Sequence, residues 1–143
     1  RIVIRLLMAG LLGFVLAYER ESHGKDAGVG THTRVAMGAA VFVMLPVEIE
    51  LDGAGMSRVI QGLVAGVGFL CAGPILKSPA DGHGVEGLTT AAGLWLTSAI
   101  GVACGLGREV TVRICTALAL LVLGVLPRVL HVRSRPPAVA DEG

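Results

Sequence analysis

Five apolar runs crowd into a chain of 143 residues, and that crowding limits the fold more than any motif does. The runs cover residues 2 to 18 (interrupted only by Arg5), 35 to 47, 59 to 76, 88 to 106 and 110 to 126, the last closed by Pro127. About 20 residues of helix cross the hydrocarbon core of a bilayer. The second run falls short of that unless the polar flank at residues 31–34 continues its helix. One such run is unremarkable as a buried helix of a soluble protein, but five leave almost nothing to cover a soluble core. None alternates with period two, so barrel strands are not expected, and helices are the remaining way to satisfy backbone polar groups in lipid. The expected fold is all-α: a polytopic helical membrane protein with about five transmembrane helices over residues 1–130. A polar tail over residues 131–143 is expected to be disordered.

Composition agrees. The chain is 53% apolar and 16% charged, with a mean hydropathy of +0.74; soluble domains hold roughly 45–50% and about 25%. The excess is Leu, Val, Ala and 21 Gly rather than aromatic residues, a mixture that lets helices approach closely in lipid. A net charge of +1 leaves no footprint for nucleic acid. Cys71, Cys104 and Cys115 all lie inside apolar runs without a C-x-x-C spacing, so they read as small packing residues rather than a disulfide framework or zinc site. The first run ends in Tyr-Glu-Arg-Glu, not in the small-residue cleavage site of a signal peptide.

With five spans, one side of the membrane holds Arg20, Lys25, Arg34, Lys77, Arg128, Arg133 and Arg135. The other holds Arg1, Arg5, Arg58, Arg108 and Arg113, two of them within helix ends. The positive-inside rule therefore puts the opening loop and the C-terminus in the cytoplasm. Within the spans, Gly62, Gly66 and Gly73 fall in one narrow stripe, and Gly101 and Gly105 repeat the four-residue spacing. Both are expected to be helix-packing positions, within the bundle or between copies. Pro74 is expected to kink the third helix or end it early. Thr89, Thr90, Thr97 and Ser98 are either polar glue between helices or the lining of a polar solute path. No Asp or Glu lies in mid-span, and no nucleophile–base pair has plausible spacing, so neither an enzyme nor a cofactor is expected.

The charged stretch YERESHGKDAGVGTHTR, residues 18–34, carries the candidate chemistry. It is not a phosphate loop, because Lys25 follows the first glycine instead of the last. His23 and His32 lack the i, i+4 pairing of a zinc protease. Glu19, Glu21 and Asp26 offer oxygen ligands of the kind that suit Mg²⁺, but no metal site is assigned. The plainer reading is a cytoplasmic connector in which Gly24, Gly28 and Gly30 make bends.

E-R-E…G-K-x-A-G…T-H-x-R resembles the MgtC/SapB family of bacterial inner-membrane proteins. So do GLVAGVGFLCAG at residues 62–73 and VEGLTTAAGLWLTSAIGVACGLG at residues 85–107. The resemblance spans about residues 5–125, with three motifs in order. It implies four or five membrane helices, a cytoplasmic E-R-E loop and a part in adaptation to low magnesium and intracellular or acid stress. Some members are virulence factors that act on other membrane proteins, including the proton-translocating ATP synthase, rather than carrying magnesium themselves. The matching loop positions are Glu19, Arg20, Glu21, Gly24, Lys25, Gly28, Thr31, His32 and Arg34. Cys71 and Pro74 depart from the small or branched residues expected there. Many members carry a soluble ACT-like domain after the last helix; the sequence reaches Gly143 without one. The expected partners are the lipid bilayer, further copies of the chain and other membrane proteins such as ATP synthase. The alternative is an oligomeric transporter or channel for a small solute or ion, Mg²⁺ included.

Overall fold

A computed structural model describes residues 1–21, 28–77 and 84–133, with side chains at 1–18, 28–76 and 87–125. The described residues form five helices, α1 (Ile2–Glu21), α2 (Val29–Glu48), α3 (Gly53–Lys77), α4 (Gly84–Gly105) and α5 (Glu109–Arg133), and no strand. Gly53–Leu76 and Gly87–Gly105 are each long and apolar enough to cross a membrane, and Ile2–Tyr18 is a shorter apolar helix.

Local chemistry sets several boundaries that hydropathy misplaces. Gly28 is the extended N-cap of α2, and its carbonyl accepts from the amides of Thr31 and His32. Residues 31–34 therefore do continue the second helix. Asp52 caps α3 by accepting from the Gly55 amide at 2.7 Å, which starts that helix six residues before its apolar run. Both α2 and α4 end in paired 6→1 and 5→2 bonds around a left-handed residue. In α4 these run from Arg108 to Ala103 and from Gly107 to Cys104, with Gly107 at φ 70°. In α2 they run from Leu51 to Pro46 and from Glu50 to Val47, with Glu50 at φ 52°. Two expectations need correction. Of the two outcomes expected at Pro74, the early end does not occur, since α3 continues to Lys77, and α5 runs past Pro127 to Arg133. A proline removes one backbone donor while its own φ stays helical, so a helix stabilised by its surroundings passes through it. Residues 134–143, most of the expected disordered tail, lie outside the described residues.

The helices meet through small residues. A Cβ on Gly13 would stand 2.9 Å from the Ala36 Cβ and 3.0 Å from the Thr33 Cα, and one on Gly10 would touch Met37. These pairs run in opposite senses, so α1 and α2 are antiparallel. A Cβ on Gly101 would collide with the backbone of Ala36, and one on Gly105 with Ala40 and Val43. His32 meets Thr97 one turn earlier. All three pairs share one numbering offset, so α2 and α4 run parallel and in register. Near the other end of the bundle, Cys71 Sγ donates to the Ala91 carbonyl, and Gly87 faces the Pro74 backbone. Hence α3 is antiparallel to α4. The core contains Ala9, Leu16, Ala36, Ala40, Ile100, Cys104, Val112 and Ala119. A satellite of Val67, Cys71, Ala91 and Leu94 joins α3 to α4.

The surface inverts the pattern of a soluble protein. Phe69 is 81% exposed, Leu76 83% and Leu7 66%, while Thr90, Thr97 and Ser98 are buried. Large apolar side chains outside and small or hydroxylated ones inside are what lipid as a solvent selects. Cys71 and Cys104 pack inside as expected, but Cys115 faces outward.

Two stability outcomes follow. Gly101→Val should lower stability by about 1–3 kcal/mol through overpacking. Gly66→Ala, whose Cβ meets nothing within 4 Å, should stay within about 0.5 kcal/mol; melting in detergent distinguishes them. Gly107→Ala should cost about 1–2 kcal/mol for its left-handed φ. It should cost more while Arg5 is present, because a Cβ there also collides with the Arg5 guanidinium. The same substitution in an Arg5→Met background isolates the backbone part.

Candidate functional site

The motif that reads as one connector is divided between helices. Glu19, Arg20 and Glu21 continue α1 as backbone, with side chains outside the described set, and Gly24 and Lys25 lie outside the described residues altogether. Gly28 caps α2, and Thr31, His32 and Arg34 sit within its first turns. The expected bend at Gly30 is absent. Gly30 is a helical residue of α2, and the first turn of a helix tolerates glycine because its amides lack intrahelical partners. Helical spacing then separates the motif. Thr31 and Arg34 face outward, whereas His32 is fully buried.

Burial gives His32 a defined partner. Its Nδ1 lies 2.8 Å from Thr97 Oγ1, and the Thr97 hydroxyl donates to the Gly93 carbonyl at 2.9 Å. A hydroxyl has one proton, and here it is committed to Gly93. His32 Nδ1 must therefore be the donor to Thr97, which in the neutral ring leaves the lone pair on Nε2. Thr33 Oγ1 donates back to the Val29 carbonyl at 2.8 Å, a local bond within the first turn.

The candidate polar path divides as well. Thr90, Thr97 and Ser98 are buried in the bundle, while Thr89 is exposed. Just below Thr97, Gly101 and Gly105 press against the α2 backbone, so the hydroxyl face of α4 is a packing face over this length. The stripe on α3 behaves differently. A Cβ on Gly62, Gly66 or Gly73 would meet nothing within 4 Å, so these glycines do not pack against the described residues. Gly62 and Gly66 instead line an open apolar groove between α2 and α3.

Arg5 is positioned by tertiary structure. Its Nη1 donates to the Gly105 carbonyl at 3.0 Å, placing a cation on the negative end of α4 and satisfying a carbonyl that the helix leaves open. Arg113 turns back to Glu109 at 3.9 Å, an exposed pair at the start of α5. Gln61 bonds to Ser57 on its own helix at 3.3 Å. Thr116 is buried, and its Oγ1 has no hydrogen-bond partner among the described residues. Also among the described residues, no three His, Cys, Asp or Glu side chains cluster to hold a metal. The carboxylates of Glu19, Glu21 and Asp26 lie outside the described side chains.

One packing stripe escaped the sequence reading. Ala9, Gly13 and Ala17 carry the same four-residue spacing as Gly101 and Gly105, and all three are buried. The signal was present, and only the glycine-rich runs drew attention to themselves.

The family model described as the MgtC family matches residues 6–132. Protein SrpB of Synechococcus elongatus is 47% identical over 113 residues, covering 72% of this chain and 62% of that protein. Protein MgtC of Salmonella typhimurium is 42% identical over 106 residues, covering 74% of this chain and 44% of that protein. Protein MgtC of Brucella abortus is 44% identical over 99 residues, covering 69% and 40%. The chain thus spans less than two thirds of each of these relatives. No solved structure matches.

Because Thr97 accepts from a buried histidine, the pair should be energetically coupled. A double-mutant cycle of His32→Leu and Thr97→Val should give a coupling of about 0.5–2 kcal/mol in detergent unfolding, the range found for hydrogen bonds between membrane helices.

Proposed function

Because the chain belongs to the MgtC family, we propose that it modulates other membrane proteins, ATP synthase among the candidates, during adaptation to low magnesium or to intracellular and acid stress. It is a helical membrane protein. In this reading it crosses the bacterial cytoplasmic membrane several times, with the E-R-E end of α1 and the C-terminus in the cytoplasm. The alternation of helix directions fits that arrangement, since α2 and α4 run one way and α1 and α3 the other.

One observation favours a modulator over a transporter. A solute path along α4 needs its hydroxyl face to meet water or a cavity, and that face is closed against α2. His32 takes up Thr97, and Gly101 and Gly105 sit against the α2 backbone. The open groove elsewhere is lined mainly by apolar residues and offers an ion no replacement for its hydration shell. In this reading the Glu19, Arg20 and Glu21 sequence that ends α1 is the part of the chain a partner's loops would meet.

Affinity capture of the chain from membranes should retain a membrane-protein partner. Capture should be lost in Glu19→Ala or Arg20→Ala while both variants melt like the parent. Ion or solute flux in proteoliposomes containing this chain alone would overturn the reading.

A further inference from the structure

The groove between α2 and α3 has a volume of about 620 Å³ and is apolar except at its ends, which carry Arg34 and Arg58. Gly38, Gly62 and Gly66 form part of its wall, and a Cβ on any of them would meet open space. Since α3 is antiparallel to α4 and α4 parallel to α2, α2 and α3 are antiparallel. Arg34 therefore stands at the Leu70 end and Arg58 at the Phe42 end. From Arg58 to Leu70 the wall is roughly 18 Å long at 1.5 Å per residue. One leaflet of hydrocarbon, half of about 30 Å, fits within that length.

Both arginines are exposed, and neither makes a hydrogen bond or ion pair among the described residues. Each stands five residues inside the start of its helix, about 7.5 Å along the axis. A cation at that depth, paired with no described side chain on an open groove, calls for a partner. The Arg58 end already has protein anions beside it. Glu48, Glu50 and Asp52 are exposed where α2 ends and α3 begins, on the Arg58 side. The Arg34 guanidinium folds back over Gly30, one turn toward the start of α2. There the positive end of the helix adds to its charge.

We infer that this groove holds an acyl chain of an anionic phospholipid whose phosphate sits on Arg34. The chain alone gains nothing over bulk lipid, because lipid tails are as apolar as the groove. Selectivity rests on the headgroup, as in basic pockets between membrane helices. The inference does not depend on the proposed regulatory role.

The test is native mass spectrometry of the purified protein, offered equal phosphatidylglycerol and phosphatidylcholine with the same chains. The parent should retain phosphatidylglycerol several-fold over phosphatidylcholine. Arg34→Gln should bring the two to parity, and Arg58→Gln should leave the preference in place. Gly66→Leu, which fills the groove without meeting the chain's own atoms at Cβ, should reduce retention of both lipids. A preference that survives Arg34→Gln, or retention indifferent to Gly66→Leu, overturns the inference. So does a Gly66→Leu variant that loses cross-linking between copies with lipid unchanged, because the occupant is then a second chain. Arg34→Gln that fails to fold is replaced by Arg34→Lys, which keeps the charge and should keep the preference.

Discussion

Everything in this bundle depends on how closely α2 can approach its neighbours. Ala36 is held between Gly13 of α1 and Gly101 of α4, and at both contacts a single added Cβ would strike it. In lipid, helices are not driven together by exclusion from water, so association must come from close packing and from hydrogen bonds. A hydrogen in place of a side chain at one position on each neighbour creates that closeness. The buried hydroxyls and His32 then supply bonds where the backbones have already come together. The small core is therefore a requirement of the solvent, and the large side chains are displaced outward to meet it.

The same constraint explains how the chain handles its charges. Arg5 lies within the first apolar run, where sequence alone marks it as a cost. In the fold it closes the negative end of α4 at the Gly105 carbonyl. Gly107 is fixed twice over, by a left-handed backbone and by the guanidinium beside it. A charge, a helix end and a glycine thus form one device that links the start of α1 to the turn between α4 and α5.

Helix number and class were legible because hydrophobic runs report the solvent directly, and the four-residue spacing of Gly101 and Gly105 recurs where α4 meets the α2 backbone. What sequence could not assign is direction. Gly62, Gly66 and Gly73 have the same spacing as Gly101 and Gly105, yet they face open space. Small size permits a close contact without specifying which neighbour makes it. The charged motif is a different case. Its residues looked like one loop because their polarity is continuous, but helical geometry buried His32 and turned Thr31 and Arg34 outward. Helix boundaries moved for local reasons, a carboxylate cap at Asp52 and a carbonyl cap at Gly28, which hydropathy does not register.

A seam built from one small residue per turn is nearly periodic, and periodicity makes it ambiguous. Sliding α2 along α4 by four residues, about 6 Å, would again set small residues opposite one another. Packing alone would separate the two alignments weakly. The His32–Thr97 bond occurs once along this seam, and a four-residue slip in either direction would set the imidazole against Gly93 or Gly101, which have no side chain to accept its Nδ1 proton. A single polar pair thereby gives the repeating seam a zero mark, in the manner of a lone polar residue that fixes the alignment of a coiled coil.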